Sequence, residues 1–198
     1  SSLALERFSD EQIIEIVKAK PLEILNSIYH EPIIRIAEGN PRLAIMVARL
    51  AKEKEDPRAL YDVADLFEKY FSTFVKDEGA FADSLNLKCL GLISFFYTVP
   101  LKSKEALASI LQNFDIKYDE FLDSIDVLDK LELVEIRYEH VKIPEQNLGT
   151  FFFYKAFIEK ENLSFQTLLT KFFENNRDRF RDSVIYANET FGYEKVMN

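Results

Sequence analysis

Apolar side chains recur every three or four positions along the first 75 residues of the chain, and this spacing predicts amphipathic helices. The first helix should begin after Ser9, because Ser9-Asp10-Glu11-Gln12 fits a capping box, in which a hydroxyl precedes Glu or Gln by three residues. Pro21 should end that helix or restart it, since proline has no backbone N–H to donate. Residues 1–80 are therefore predicted to form a bundle of short helices. The apolar positions of these helices are Ile13, Ile14, Ile16 and Val17, then Leu22, Ile24, Leu25 and Ile28, then Ile33, Ile34 and Ile36, then Leu43, Ala44, Met46, Val47 and Leu50, and finally Leu60, Val63, Ala64, Phe67, Tyr70, Phe71 and Phe74.

The pattern changes after the polar stretch Lys76-Asp77-Glu78-Gly79, which we take as a domain boundary. The following run, Leu85–Tyr97, is apolar on nearly every side, and such a helix is expected to be central and buried. Two amphipathic helices should follow it, one capped by Ser103 and one over Tyr118–Leu131.

Two short segments come next, Leu133–Tyr138 and His140–Ile143, and both largely alternate apolar and polar side chains. A period of two predicts β-strands, and we interpret these two as the strands of a hairpin. Three helices followed by a β-hairpin are the layout of a winged helix.

The last part of the chain is predicted to be helical. Gln146–Glu159 contains the aromatic run Phe151–Ile158, whose periodicity fits a strand or a helix, but its length and the charged residues after it favour a helix. Residues 163–191 continue with helical spacing. The predicted fold class is mainly α, with a helical bundle over residues 1–80, a winged-helix domain with a small β-hairpin over 81–160, and the start of a further helical region over 161–198.

Composition agrees with a folded, helix-rich protein and narrows the range of partners. The 198 residues are 47% apolar and 30% charged. A formal net charge of −9 does not attract phosphate backbones or anionic lipid, so we expect neither nucleic acid nor membrane as a partner. Cys89 lies in an apolar run and is expected to be buried and inert. We place the protein in the cytoplasm, because it shows no signal peptide and its longest apolar run contains Lys88 and a proline.

The candidate chemistry lies in a four-residue turn, Gly39-Asn40-Pro41-Arg42, between two predicted helices. Gly39 is suited to end one helix, and Pro41 to the first turn of the next, where its missing N–H costs nothing. A helix N-terminus favours anions, and Arg42 adds a fork of donors that matches phosphate. Two interpretations stay open. The turn binds phosphate groups, or it only connects two helices while Arg42 is solvated, and the local sequence by itself favours the connector.

The order of these features resembles a known family. The motif Glu38-Gly39-Asn40-Pro41-Arg42-Leu43-Ala44 opens a helix within a bundle, a winged helix follows, and Ile143-Pro144-Glu145-Gln146-Asn147-Leu148 ends it ahead of aromatic residues. Over most of the chain this order resembles the C-terminal half of the ATPase module of STAND NTPases, signal-transducing relatives of AAA+ ATPases. The resemblance implies that residues 1–80 are a helical lid. In that lid Gly39, Asn40 and Pro41 would close over a nucleotide base, and Arg42 would reach the phosphates.

The chain departs from that family in lacking the catalytic parts of an NTPase. It contains no Gly-x-x-x-x-Gly-Lys-Ser/Thr loop and no strand that ends in paired acids to hold Mg²⁺. We therefore expect no enzyme activity from this segment and no tight binding of ATP or ADP to it, while the parent protein is expected to be an ATPase. Because the chain begins at Ser1 without an initiator methionine, we expect it to be part of a longer protein, with a P-loop domain upstream and a sensor region downstream. Whether the protein also binds a further protein partner or forms an oligomer stays open.

Two other functions compete with this nucleotide switch. One is a helical protein–protein adaptor without any nucleotide, in which the apolar side chains of Phe151–Ile158 form the partner surface. The other is a DNA-binding winged helix, which the candidate recognition helix Lys117–Glu132 disfavours, because its six acids outnumber its two lysines and would be repelled by phosphates. His30 and His140 are far apart in sequence and lack partners at ligand spacing, so we expect no metal site. The six acids are Asp119, Glu120, Asp123, Asp126, Asp129 and Glu132.

Overall fold

The computed structural model of the protein describes residues 7–54, Leu60, Leu66 and residues 84–197. The chain divides into two compact units, Ser1–Thr73 and Phe74–Asn198. The predicted domain boundary near residue 80 and most of the predicted helix between Leu60 and Val75 lie outside the described residues. Within the described ranges, no helix combines the length and the apolar character needed to cross a lipid bilayer.

The first unit is built from short helices packed through one apolar face each. Its described elements are α1 (Asp10–Lys18), a 3-10 turn (Ser27–Tyr29), α2 (His30–Ala37) and α3 (Pro41–Lys54). The predicted capping box starts α1: the Ser9 hydroxyl accepts from the Gln12 amide at 3.4 Å, and the Gln12 side chain accepts from the Ser9 amide at 2.8 Å. The buried apolar residues that the three helices share as a core include Ile13, Val17, Ile33, Ile36, Leu43 and Val47.

The segment predicted as a second helix, residues 22–28, is not an α-helix, so that prediction is wrong. Leu22 and Ile24 are buried at alternate positions, and the Ile24 amide donates to the Val17 carbonyl at 2.9 Å. Glu23 between them has a left-handed φ of +54°, which a right-handed helix does not allow. Burial of these two side chains, together with the backbone bond to Val17, therefore outweighs the helical spacing of the apolar residues.

The second unit contains a winged helix. Its first elements, in chain order, are α4 (Ser84–Phe96), β1 (Val99–Pro100), α5 (Lys104–Leu111), α6 (Tyr118–Lys130), β2 (Glu135–Arg137) and β3 (His140–Lys142). The strands form an antiparallel sheet in the order β1-β3-β2, and the buried Val141 pairs with both Val99 and Ile136. The predicted layout of three helices and a hairpin is confirmed, whereas β1 was not predicted. The apolar helix α4 is buried as predicted, and Cys89 is buried with it.

Further helices follow the wing, and several of them contact α4 through phenylalanine rings. They are α7 (Gln146–Tyr154), which continues as a π-helical turn (Lys155–Glu159), then α8 (Phe165–Phe172), α9 (Arg177–Phe191) and α10 (Tyr193–Met197). The ring centroids of Phe95 and Phe180 are 6.4 Å apart, and those of Phe96 and Phe172 are 5.2 Å apart. These ring contacts join residues on both sides of residue 160. The predicted boundary between a winged-helix domain and a further helical region at this residue stays a prediction.

The aromatic run Phe151–Ile158 is helical, as predicted, but it does not form an exposed surface. Phe151 and Phe152 are fully buried, and Phe153 is 2% exposed. The Phe153 ring lies 6.4 Å from that of Phe95, so the run fills the core of its own unit. The partner surface that the adaptor hypothesis placed here is therefore wrong. The fold class itself is confirmed: mainly α, with a helical bundle, a winged helix with a small sheet, and further helices.

Candidate functional site

The turn between α2 and α3 reverses the chain with two successive left-handed residues. Glu38 has φ +48° and ψ +38°, and Gly39 has φ +80°. The Glu38 amide still donates to the Ile34 carbonyl at 3.0 Å, and the Asn40 amide donates to the Ala37 carbonyl at 2.8 Å. Gly39 was predicted to end α2, and the structure shows that the left-handed Glu38 and Gly39 end it together. A non-glycine residue in this region costs about 1–2 kcal/mol, so the turn holds some backbone strain.

Gly39 packs against the chain just ahead of α1. The Phe8 amide donates to the Gly39 carbonyl at 3.0 Å. A Cβ added at Gly39 would lie 2.8 Å from the Phe8 carbonyl oxygen and 3.0 Å from the Arg7 Cβ. The space left by the missing side chain is therefore filled by the protein itself. A nucleotide base cannot use that side of Gly39 in this conformation, although the sequence predicted a close approach there.

Asn40 caps the N-terminus of α3. Its Oδ1 accepts from the Arg42 amide at 2.9 Å and from the Leu43 amide at 3.2 Å, while Pro41 has no N–H to donate. The Asn40 carbonyl accepts from the Ala44 amide at 3.0 Å, which is the first bond of the helix. The predicted anion site thus already holds an internal acceptor, and an anion at this end of α3 would have to displace the Asn40 side chain. The order Asn-Pro at a helix start is the sequence signal for this cap.

The cap gives a direct prediction for Asn40. Replacing Asn40 by alanine should lower the free energy of unfolding by about 1 kcal/mol, because two amides of α3 lose their acceptor. Urea unfolding followed by circular dichroism measures this change. Asn40→Asp is the matched control, since a carboxylate keeps the acceptor and suits the positive end of the helix dipole. Equal losses in both variants would show that Asn40 stabilises the turn by something other than capping.

Arg42 places a positive charge in the first turn of α3, where its side chain is exposed. The first turn of α3 itself contains no acidic residue. A cation at a helix N-terminus opposes the helix dipole by roughly 0.3–1 kcal/mol. The neighbouring Leu43 and Ala44 are 1% and 0% exposed, so the backbone that carries Arg42 is anchored in the core. This arrangement is poor for helix stability and suitable for holding an anion.

The exposed face of α6, the candidate recognition helix, is acidic. On α6, Asp119, Asp123 and Asp126 are exposed. Lys117, just ahead of α6, donates to the Glu120 carboxylate at 2.7 Å. This hydrogen bond raises the pKa of the Lys117 ammonium and lowers the pKa of the Glu120 carboxyl, so each stabilises the charge of the other. One of the two lysines of the candidate recognition helix is therefore already paired with an acid, and the surface would repel a phosphate backbone.

The wing and the two histidines offer no clear alternative centre. On the wing, Arg137 pairs with Glu135, and the Lys142 ammonium lies 3.4 Å from the same carboxylate. His30 Nε2 lies 2.9 Å from the Ile24 carbonyl oxygen, a bond that holds the non-helical segment after α1. Among the described residues, no three His, Cys, Asp or Glu side chains are grouped to share a metal ion.

No model of a known protein family matches the chain, and neither a curated protein nor a solved structure matches it.

Proposed function

We propose that the chain is the lid and winged-helix part of a STAND-type NTPase, a nucleotide-dependent switch. The nucleotide would be held by a P-loop domain elsewhere in the same protein. One observation carries the proposal: Arg42 is exposed at the start of α3, where the turn Glu38–Pro41 positions it. The helical bundle that contains this turn is followed along the chain by a winged helix. The resemblance to STAND NTPases rests on the same order of elements.

In this proposal the nucleotide supplies an anion for the first turn of α3. Arg42 would contact its phosphates, since a guanidinium matches phosphate oxygens in charge and geometry. The amides of Arg42 and Leu43 would become additional donors once the Asn40 side chain turns away. Gly39 takes a different role from the one first expected. It lets the turn pack on Phe8, and the base would meet Pro41 from another side.

The winged helix is proposed to relay the state of the nucleotide through protein contacts. Its acidic α6 does not suit nucleic acid, whereas it suits a basic surface on a neighbouring domain. The adaptor hypothesis is the weaker alternative, because its proposed surface is buried in the core. Under this proposal the segment contributes sensing and relay, and any hydrolysis belongs to the P-loop domain.

The proposal predicts a change in nucleotide preference for Arg42→Ala. In the natural protein that carries this chain, the ratio of the ADP to the ATP dissociation constant should fall about tenfold, or about 1.4 kcal/mol, because the γ-phosphate loses its cation. Isothermal titration calorimetry with each nucleotide measures the ratio. Arg49→Ala is the matched control, because Arg49 is an exposed arginine on the same helix, two turns further from its N-terminus. An unchanged ratio in Arg42→Ala, or an equal change in both variants, would exclude the proposed role.

The reading frame that encodes the chain allows the proposed function to be tested before any variant is made. A P-loop motif within about 300 residues upstream of Ser1, followed by a strand with an acidic end, is what the proposal requires. A natural protein that begins near Ser1 would leave the turn as a simple connector.

A further inference from the structure

The second unit contains a cleft that the proposed switch does not use. It has a volume of about 250 Å³ and lies between α7, α9 and the C-terminal end of α4. Gly149 of α7 leaves this space open, because a Cβ added there would meet nothing within 4 Å. A protein cavity of about 150 Å³ is enough to hold benzene, so this cleft has room for an aromatic ring with a substituent.

The walls of the cleft are largely aromatic. Ile93, Phe95 and Phe153 form its inner part, and none of the three is more than 2% exposed. Tyr97 and Tyr186 also line it, and they are 54% and 40% exposed. Aromatic pairs gain stability beyond the area that they bury, and these two tyrosines are open to a further contact. The cleft therefore suits a ligand that is itself an aromatic ring.

The polar groups of the cleft include both donors and acceptors. The Ser94 hydroxyl donates to the Leu90 carbonyl at 2.7 Å, and the Thr150 hydroxyl donates its proton along its own helix at 3.0 Å. In these positions both hydroxyls offer oxygen lone pairs to a ligand. Gln146 and Ser183 line the same space and carry N–H and O–H groups. A ligand hydroxyl, which donates and accepts, matches this mixture.

The charges that line the cleft are already engaged. They are the carboxylates of Glu145 and Asp182 and the guanidinium of Arg179. Asp182 accepts from the Arg181 side chain at 3.0 Å, and Glu145 interacts with another group of the protein. The Arg179 guanidinium carbon lies 4.4 Å from the centroid of the Tyr97 ring. Two acids are thus matched by two arginines. Because an ion loses hydration on entering such a site, a neutral ligand is favoured.

We propose that this cleft binds a neutral aromatic ring that carries a hydroxyl group. Its volume lies below the roughly 300–1,000 Å³ typical of ligand pockets, so it suits a single ring and not a larger molecule. The ring would pack against Phe153 and Tyr186, and its hydroxyl would bond to the polar side chains of the cleft. A free phenol and a tyrosine of another protein share this chemistry. The inference does not depend on the proposed nucleotide switch.

Fluorine NMR titration of the 198-residue chain with p-fluorophenol tests the site. We expect a dissociation constant on the order of 1 mM or below. Two charged probes of similar size, p-fluorobenzoate and p-fluorobenzylammonium, should each bind about tenfold more weakly or worse, because neither finds an unpaired opposite charge. The comparison separates a site for a neutral ring from a site for an ion of either sign.

Two variants with matched controls locate the binding. Gly149→Leu should abolish it by filling the cleft, whereas Gln166→Leu, at an exposed helical position outside the cleft, should leave it unchanged. Tyr186→Ala should weaken binding about fivefold by removing one aromatic contact. Its control is Tyr193→Ala, which removes an exposed tyrosine that does not line the cleft and should bind as the unmodified chain does.

A second probe, N-acetyltyrosine methylamide, separates the two sources of the ring. Displacement of p-fluorophenol by this capped residue at a similar concentration identifies a protein side chain as the natural ligand. Binding of p-fluorophenol without such displacement identifies a free phenol. The proposal is overturned if p-fluorophenol does not bind at about 10 mM, or if either charged probe binds equally well. It is also overturned if Gly149→Leu leaves binding unchanged while the variant keeps its circular dichroism spectrum, or if Tyr186→Ala and Tyr193→Ala bind alike.

Discussion

Replacing Gly91 by alanine is expected to lower the free energy of unfolding of the second unit by about 3 kcal/mol. Gly91 lies in the interior of α4 and is buried. An added Cβ would lie 2.4 Å from the Ala156 Cβ and 3.0 Å from the Leu163 Cδ1, well inside van der Waals contact. Because these neighbours belong to a packed core, the helices must move apart or shift along each other. This cost exceeds the gain of roughly 1 kcal/mol that alanine brings to a helix interior.

Gly149→Ala is the matched control for this experiment. Gly149 also lies in a helix, but an added Cβ meets nothing within 4 Å. The same substitution should therefore stabilise the protein by up to about 1 kcal/mol through helix propensity. Urea unfolding of both variants should give changes of opposite sign. Similar changes in both would show that backbone propensity, and not the close approach of α4 to the π-helical turn, decides the effect.

A double variant separates the contact from other effects of Gly91→Ala. Ala156→Gly removes the atom that lies nearest to the added Cβ. In the Gly91→Ala background it should restore part of the lost stability, with a coupling energy of about 0.5–3 kcal/mol. Losses that simply add would show that Gly91 and Ala156 do not interact.

The second large effect is expected for Gly39→Ala, which should lower the free energy of unfolding by about 2–3 kcal/mol. Two causes add: alanine is strained at φ +80°, by about 1–2 kcal/mol, and its Cβ would lie 2.8 Å from the Phe8 carbonyl oxygen. Thermal unfolding followed by circular dichroism measures the loss. Glu38→Gly is the control with the opposite expected sign, because Glu38 is also left-handed and glycine relieves its strain. A neutral Gly39→Ala would mean that the turn can adopt another conformation.

The parts of the fold that the sequence predicted show a regular pattern of apolar and polar positions. The helix α4 is apolar nearly all round, and the strands β2 and β3 alternate, so local periodicity was sufficient for both. The strand β1 has only Val99 and Pro100, which is too short to show alternation, and it exists because Val99 pairs with Val141 far along the chain. The prediction of a helix at residues 22–28 failed for a related reason: Leu22 and Ile24 are buried, and the Ile24 amide bonds back to Val17 instead of continuing a helix.

The candidate site divides in the same way. Pro41 at the first position of α3 and the helix end near Gly39 follow from local rules and were predicted. The contact of Gly39 with Phe8 joins residues about 30 positions apart, and no local pattern signals it. A cleft lined by Gly149, Phe153 and Tyr186 depends on how α7 and α9 pack. A lone glycine in a helical pattern gives only a weak indication of such a space.

The bond between the Phe8 amide and the Gly39 carbonyl has a mechanical consequence. It ties the chain that leads into α1 to the turn that carries Arg42. One such bond contributes about 1 kcal/mol, whereas α2 and α3 are held by several buried side chains, including Ile33, Ile36 and Leu43. Tension applied to the chain ahead of Phe8 should therefore break this hydrogen bond before it unwinds α2 or α3. The turn that carries the exposed Arg42 would then change conformation while the helices of the bundle stay folded.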